Sequence, residues 1–260
     1  MRRIDNGLPS PPNWDNRLST LLKFGIVLFV GGAAYSVAQT VVALQRGSIP
    51  AALITGGMAL FISGAMTTFA AAWFTTPQLY AVANDGGTSL RIRPLIIWCW
   101  IVSLVGAAFG AACFLVFVSY GTTELPFAAP GRERVNRYLM ITLLVISVGG
   151  LAALITRREP GYLRIGPSGV ENADIFRTRS ARWDDVIDIS DNADRKHRNP
   201  IVFVLRDAKQ IIVPNAPSYA AGSPAIYWMV RHYWKHPADR DELTDGRALE
   251  RLRNAQFAAD

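Results

Sequence analysis

TRREPGYLRIGPSGVENADIFRTRSARWDDV, residues 156–186, decides how this chain is read. Before it, apolar residues fill long unbroken runs of helical character. Within it they alternate, as in Tyr162-Leu163-Arg164-Ile165, and Pro160-Gly161 marks the switch. Gly166-Pro167-Ser168-Gly169 reads as a turn, residues 170–176 as a second strand, and Arg182-Trp183-Asp184-Asp185-Val186 as a third. Lipid-spanning helix gives way here to the short strands of a small water-soluble domain.

Upstream lie four apolar runs, at residues 21–44, 49–74, 95–120 and 138–156. Each approaches or exceeds the ~20 residues that cross ~30 Å of hydrocarbon. The first is too long for the roughly 7–15 residues of a signal-peptide core, so it spans and stays. Residues 1–20, polar and carrying Pro9, Pro11 and Pro12, read as a mobile tail. Half of the 260 residues are hydrophobic and 18% are charged, and the apolar ones concentrate before residue 157, which makes an integral membrane protein.

Four spans return both termini to one side. Arg2, Arg3, Arg17, Lys23, Arg91, Arg93, Arg157, Arg158 and Arg164 fall on that side, and Arg46, Arg132, Arg134 and Arg137 on the other. The excess predicts a multi-pass cell-membrane protein with cytoplasmic termini. Beyond residue 156, seventeen Lys/Arg nearly balance fifteen Asp/Glu, so the soluble half has no concentrated basic face for nucleic acid. Cys99 and Cys113 sit inside the third run, as small hydrophobes.

The spans are rich in small residues. Gly106 and Gly110 form a GxxxG in the third, Gly149 and Ala153 share that spacing in the fourth, and Gly64 and Thr68 share it in the second. Such faces let helices approach closely in lipid. Packing of the four-helix bundle against itself is the expected use, and a homo-oligomer seam is the second. No Asp, Glu, His, Lys or Arg lies deep in a span, which argues against an ion-coupled transporter. Gln39, Thr40 and Thr55 are explained by hydrogen bonds between helices.

Between the second and third runs, residues 78–93 predict a β-hairpin about Asn84-Asp85-Gly86-Gly87, on the same side as the C-terminal domain. Pro77-Gln78-Leu79-Tyr80-Ala81-Val82 also aligns with Pro160-Gly161-Tyr162-Leu163-Arg164-Ile165, as if the hairpin were a reduced copy of the later domain's start. A rival register matches Leu90-Arg91-Ile92 to Leu163-Arg164-Ile165.

Downstream, residues 187–190, 201–205 and 211–213 read as strands. Ser223 and Pro224 open a helix whose stripe is Ile226, Met229, Val230, Tyr233 and Trp234, and Pro237 ends it. A more polar helix follows over residues 239–254. The division is therefore a tail at 1–20, a transmembrane domain at 21–156 that includes the hairpin, a β domain with its closing helix at 157–236, and a helical tail at 237–260. The class is α+β: a four-helix transmembrane bundle, then a small antiparallel barrel or sandwich closed by a helix.

Tyr162-Leu163-Arg164-Ile165, Gly169-Val170, Trp183-Asp184-Asp185-Val186 and the closing helix with Tyr233-Trp234 carry a resemblance. In their order and spacing, residues 159–236 resemble the bacterial pleckstrin-homology-like family, membrane-anchored type. The resemblance implies a binding or scaffolding domain that is no enzyme, with Trp183, Val186, Met229, Tyr233 and Trp234 in its core. Phosphoinositide-binding members of the wider class carry dense Lys/Arg on the first hairpin. Here that hairpin offers Arg164 alone, against specific inositol-phosphate recognition.

Arg177, Arg179 and Arg182 are the candidate contacts to anionic lipid head groups, each worth ~1 kcal/mol near a membrane surface. The alternative is a solvated turn between strands. Arg195-Lys196-His197-Arg198 is a second basic loop, blunted by the aspartates before it. His232 and His236 have metal-binding spacing, but no HExxH glutamate accompanies them, and helix-end side chains explain them better. Asp184, Asp185 and Asp188 read as a solvated acidic turn. No nucleophile elbow, Walker motif or dinucleotide fingerprint is present. The expectation is a membrane-held binding module without catalytic residues, metal or cofactor. Its partners would be membrane lipids and a membrane or membrane-proximal protein; the alternative is an accessory subunit of an envelope complex that docks through its helices.

Overall fold

A computed structural model describes residues 8–14, 20–73, 79–119, 133–156, 161–174, 177–193, 197–220 and 223–259. The chain divides into a sheet unit (Met1–Arg17, Thr75–Arg93 and Glu159–Asp260) and a helical unit (Leu18–Phe74 and Pro94–Arg158).

The helical unit holds α1 (Thr20–Gln45), α2 (Ile49–Trp73), α3 (Pro94–Ser119) and α4 (Glu133–Thr156). All four are long and apolar enough to cross a membrane, which makes this a multi-pass membrane protein. Neighbours in sequence are neighbours in space, and α1 and α4, the pair that would close a ring, share no extensive contact. The expected bundle is thus an open row. Its centre is α2 and α3, whose apolar windows are 39% buried, against 6% for α1 and α4. The close approach is made by glycine. A Cβ on Gly57 would stand 2.6 Å from the Gly110 Cα, and one on Gly106 would stand 2.6 Å from the Leu60 Cβ. Ser103 Oγ donates across the same seam to the Phe61 carbonyl at 2.8 Å. Between α1 and α2, the Thr40 and Thr55 hydroxyls lie 3.1 Å apart.

The sheet unit is antiparallel throughout. Its larger sheet has the order β1 (Tyr80–Asn84), β2 (Gly87–Arg91), β3 (Tyr162–Ile165), β4 (Gly169–Ala173), β5 (Thr178–Arg182). The smaller has β6 (Val186–Ser190), β7 (Ile201–Leu205), β8 (Gln210–Val213). The described strands make two sheets and no closed barrel. The hairpin expected at residues 78–93 belongs to this unit: β2 pairs with β3, setting Leu90 opposite Leu163 and Thr88 opposite Ile165. All four of these residues are fully buried. Pro77, Gln78 and Pro160, part of the proposed repeat, lie outside the described residues. The hairpin takes its positive φ at Gly87 (+117°), one residue later than an Asp-Gly reading places it. A side chain there would collide with the Ile165 carbonyl, so glycine is required where β2 meets β3.

Alternation gives both sheets an inward face. Leu163, Ile165, Val170, Ala181, Val186, Ile189, Ile201, Phe203, Ile211 and Val213 share one core. Across it lies α5 (Ala225–Lys235), which buries Ile226, Met229, Val230 and Tyr233. Trp183 and Val186 are buried in the same core, with Trp234 half-buried beside it. Ser223 Oγ accepts from the Ala225 amide, at the first residue of α5, at 2.9 Å. The tail expected as one helix is two, α6 (Glu242–Asp245) and α7 (Arg247–Arg253), broken at Gly246 with φ +90°. Leu243, Leu249, Leu252 and Phe257 join the core, so the C-terminal tail is part of the domain.

The N-terminal segment departs furthest from expectation. Residues 8–14 are docked on the sheet unit, with Leu8 and Trp14 against its core. Asn13 gives its amide N–H and its side-chain N–H to the two Asp191 carboxylate oxygens, both at 2.9 Å. Trp14 Nε1 donates to the Pro200 carbonyl at 3.0 Å, and Trp228 Nε1 donates back to the Pro9 carbonyl at 2.9 Å. Two indole donors and one carboxylate thereby hold a segment that itself turns over residues 11–14, where the Trp14 amide donates to the Pro11 carbonyl at 3.0 Å.

Candidate binding surface of the sheet unit

Thr178–Arg182 forms a strand, β5, where a solvated turn was the alternative to lipid contact. It pairs with β4 on one side only and is an edge of its sheet. Arg177, Arg179 and Arg182 are all exposed. The period of two separates them, however. Arg177 and Arg179 share the face of the buried Ala181, while Arg182 points to the opposite face.

Two clefts follow from that split. Arg182 lines one of about 410 Å³ with Arg164, Ser168, Glu171, Ser180 and Asp185. Both of its arginines have carboxylate neighbours: Arg164 lies 3.8 Å from Glu171, and Arg182 lies 3.9 Å from Asp184. Arg164 also donates to Ser89 Oγ at 3.0 Å, which ties β3 to β2. Tyr162 adds its hydroxyl to the same Glu171. This cleft is internally neutralised.

The second cleft, of about 450 Å³, lies between β4–β5 and β8. Among the described residues it is lined by Asn172, Asp174, Arg177, Arg179, His197, Ile212 and Pro214. The Asp174 amide donates to the Arg177 carbonyl at 2.8 Å, just before β5. Tyr219 lies near this carboxylate: burial, with the Asp174 charge adding to it, pushes the Tyr219 phenol up to about 12. Asn172 stands at an inward position of β4, two residues after the core residue Val170, and is 6% exposed. Its Nδ2 reaches the Ile212 carbonyl at 3.5 Å, while its buried Oδ1 has no hydrogen-bond partner.

Asn172 does not follow from motif reading, and His197 was read only as part of the second basic loop. Asn172 has a readable signal, a polar residue on the inward alternation of a strand. Nothing in that loop's sequence places His197 beside Arg177 and Arg179, because its position comes from a loop. Arg195 and Lys196 of that basic loop lie outside the described residues, as do Phe176, Arg132, Arg157 and Arg158.

The other candidates occupy structural positions. His232 Nε2 is 2.9 Å from Asp239 Oδ2, and its ring stacks on His236 at 4.5 Å. His236 Nδ1 is 3.0 Å from the His232 carbonyl. Asp184 and Asp185 are exposed in a single 3-10 turn between β5 and β6, and Asp188 Oδ1 accepts from the Ile189 amide at 2.8 Å. Gly106 and Gly110 lie in the α2–α3 seam, whereas a Cβ on Gly149 would meet nothing within 4 Å. Gly150, the next residue, faces Leu104 of α3 instead, and Ala153 is half-buried. The expected Gly149–Ala153 face is therefore not an intrachain seam, because α4 turns the neighbouring glycine toward α3. Compared with known proteins, the chain matches no family model, no curated protein and no solved structure.

Proposed function

We propose that this protein is a membrane-held recognition module: a non-catalytic domain of pleckstrin-homology-like type, kept at the inner face of the cell membrane to bind a membrane protein or lipid head groups. One observation carries the reading. The sheet unit takes one segment from before the first span, one from between the second and third, and one from after the fourth. A chain that crosses four times returns those three segments to the same side, so the domain is joined to its anchor at four points rather than hung on one flexible linker. Lys and Arg excess on that side supports its facing the cytoplasm. Two antiparallel sheets closed by an amphipathic helix support the pleckstrin-homology-like reading, and the open β5 edge offers a surface for a partner.

Docking through the helices is the second reading. It is favoured by the open row, in which α1 and α4 keep most of their circumference free for another membrane protein. Crosslinking of the full-length protein in intact membranes, read by mass spectrometry, separates the two. Partner crosslinks concentrated in residues 79–91 and 161–259 are the expected result. Crosslinks confined to residues 20–73 and 94–156 would transfer the function to the helices.

A further inference from the structure

The cleft between β4–β5 and β8 is lined by a buried polar side chain and by exposed basic ones. Among its lining residues Asn172 carries a buried acceptor with nothing to accept from, its Oδ1. The contact to Ile212 favours this orientation of the amide. The Ile212 carbonyl faces Nδ2 at 3.5 Å, and turning the amide over would set two acceptors against each other. A buried acceptor beside an open cleft calls for a donor from outside the protein. The rim holds Arg177 and Arg179, both exposed, together with the His197 imidazole. Guanidinium groups suit phosphate oxygens, which they bind in bidentate fashion. Asp174 is the one carboxylate among the described lining residues. It leaves the rim net positive and adds a second acceptor, which disfavours a bare polyanion and suits an anion that also carries hydroxyls.

We propose that this cleft binds a phosphate ester of a small polyol, with the phosphate held by Arg177, Arg179 and His197 and a hydroxyl donating to Asn172 Oδ1. The site rests on the recognition reading above and sharpens it. It drops Arg182, which belongs to the other cleft, and it uses no residue of the Gly166–Gly169 turn. The same chemistry has two sources, a phosphatidylglycerol head group and free glycerol 3-phosphate.

The test uses the full chain in phosphatidylcholine nanodiscs, titrated calorimetrically with glycerol 3-phosphate and, separately, inorganic phosphate. A second arm uses nanodiscs of equal parts phosphatidylcholine and phosphatidylglycerol, with lipid retained on the protein read by native mass spectrometry. Glycerol 3-phosphate should bind more tightly than inorganic phosphate. Arg177→Gln and Arg179→Gln should each weaken both ligands by about tenfold, and Arg182→Gln should leave both unchanged. Asn172→Leu should weaken glycerol 3-phosphate toward the inorganic phosphate value and leave inorganic phosphate alone, an outcome that general loss of structure would not produce. Retention of phosphatidylglycerol, sensitive to the same substitutions, assigns the lipid source; binding of the soluble ester alone assigns the free one.

Equal affinity for the two soluble ligands, no binding in either arm, or indifference to the Arg177 and Arg179 substitutions would overturn the site. Partner crosslinks that persist on the sheet unit beside a blank titration would remove the cleft ligand and leave the recognition reading standing. Crosslinks confined to the helices beside a positive titration would do the reverse.

Discussion

Trp183 fastens three parts of the domain. Its Nε1 donates to the Gly166 carbonyl at 2.9 Å, its own amide donates to the Ser168 carbonyl at 3.2 Å, and the Arg240 guanidinium lies 5.1 Å from its ring centroid. Trp183→Phe keeps most of the ring and strands the buried carbonyl. The expected cost is about 1–3 kcal/mol, measured by thermal melting of the purified protein. Trp183→Ala adds a cavity and should cost about 3–5 kcal/mol.

His232 sets a pH dependence. Burial foremost, then the Arg251 and His236 charges, hold its pKa below the ordinary 6.5, against the upward pull of Asp239. As pH falls through 6.5 the unfolded chain takes up a proton before the folded one does. Stability from this residue is therefore complete above that pH and lost on acidification below it. Melting temperature should fall between about pH 7.5 and about pH 5.5, and the fall should be shallower in His232→Gln. An equal slope in the variant would remove His232 as the cause.

Among the elements, α2 and α3 meet without space for a methyl group, and α4 does not. Gly57→Ala should push α2 from α3 and cost about 1–3 kcal/mol, because its new Cβ meets backbone. Gly149→Ala should stay within about 0.5 kcal/mol, because its Cβ meets nothing. Melting in detergent compares the pair directly; equal effects would contradict the seam. Sequence spacing alone reads Gly106–Gly110 and Gly149–Ala153 alike, since GxxxG and GxxxA carry no information on which way a helix faces, and it does not single out Gly57.

The strands were legible where alternation was strong. Leu163 and Ile165 read as inward residues, and the stripe from Ile226 to Tyr233 did so at the helical period. β5 was hidden because Arg-Thr-Arg-Ser has one inward apolar residue, Ala181, at its end. At the binding surface, the arginines stood out as a charge cluster. Their division between two clefts needed the strand's register, and Asn172 needed its burial.

At the scale of the whole molecule, the sheet unit is assembled from distant parts of the chain. No local signal could show Asn13 reaching Asp191 or Trp14 reaching Pro200, because periodicity reports only on neighbours. The N-terminal segment should contribute to stability rather than hang free. Trp14 also meets Tyr227 edge to face, with ring centroids 5.9 Å apart. Trp14→Ala is expected to cost about 1–3 kcal/mol and to speed amide hydrogen exchange in β6 and α5. Unchanged exchange there would mean that the segment adds nothing to the domain.

The insertion of α3 and α4 between β2 and β3 also orders events during synthesis. The first hairpin leaves the ribosome with Leu90 lacking the strand that will cover it, and the residues of two spans are made before Tyr162 is. Until then the nascent chain carries an uncovered sheet edge beside the membrane. Completion of the domain thus doubles as a report that the last two helices have been threaded correctly, since a misinserted pair would leave the two halves of the sheet on opposite sides of the lipid.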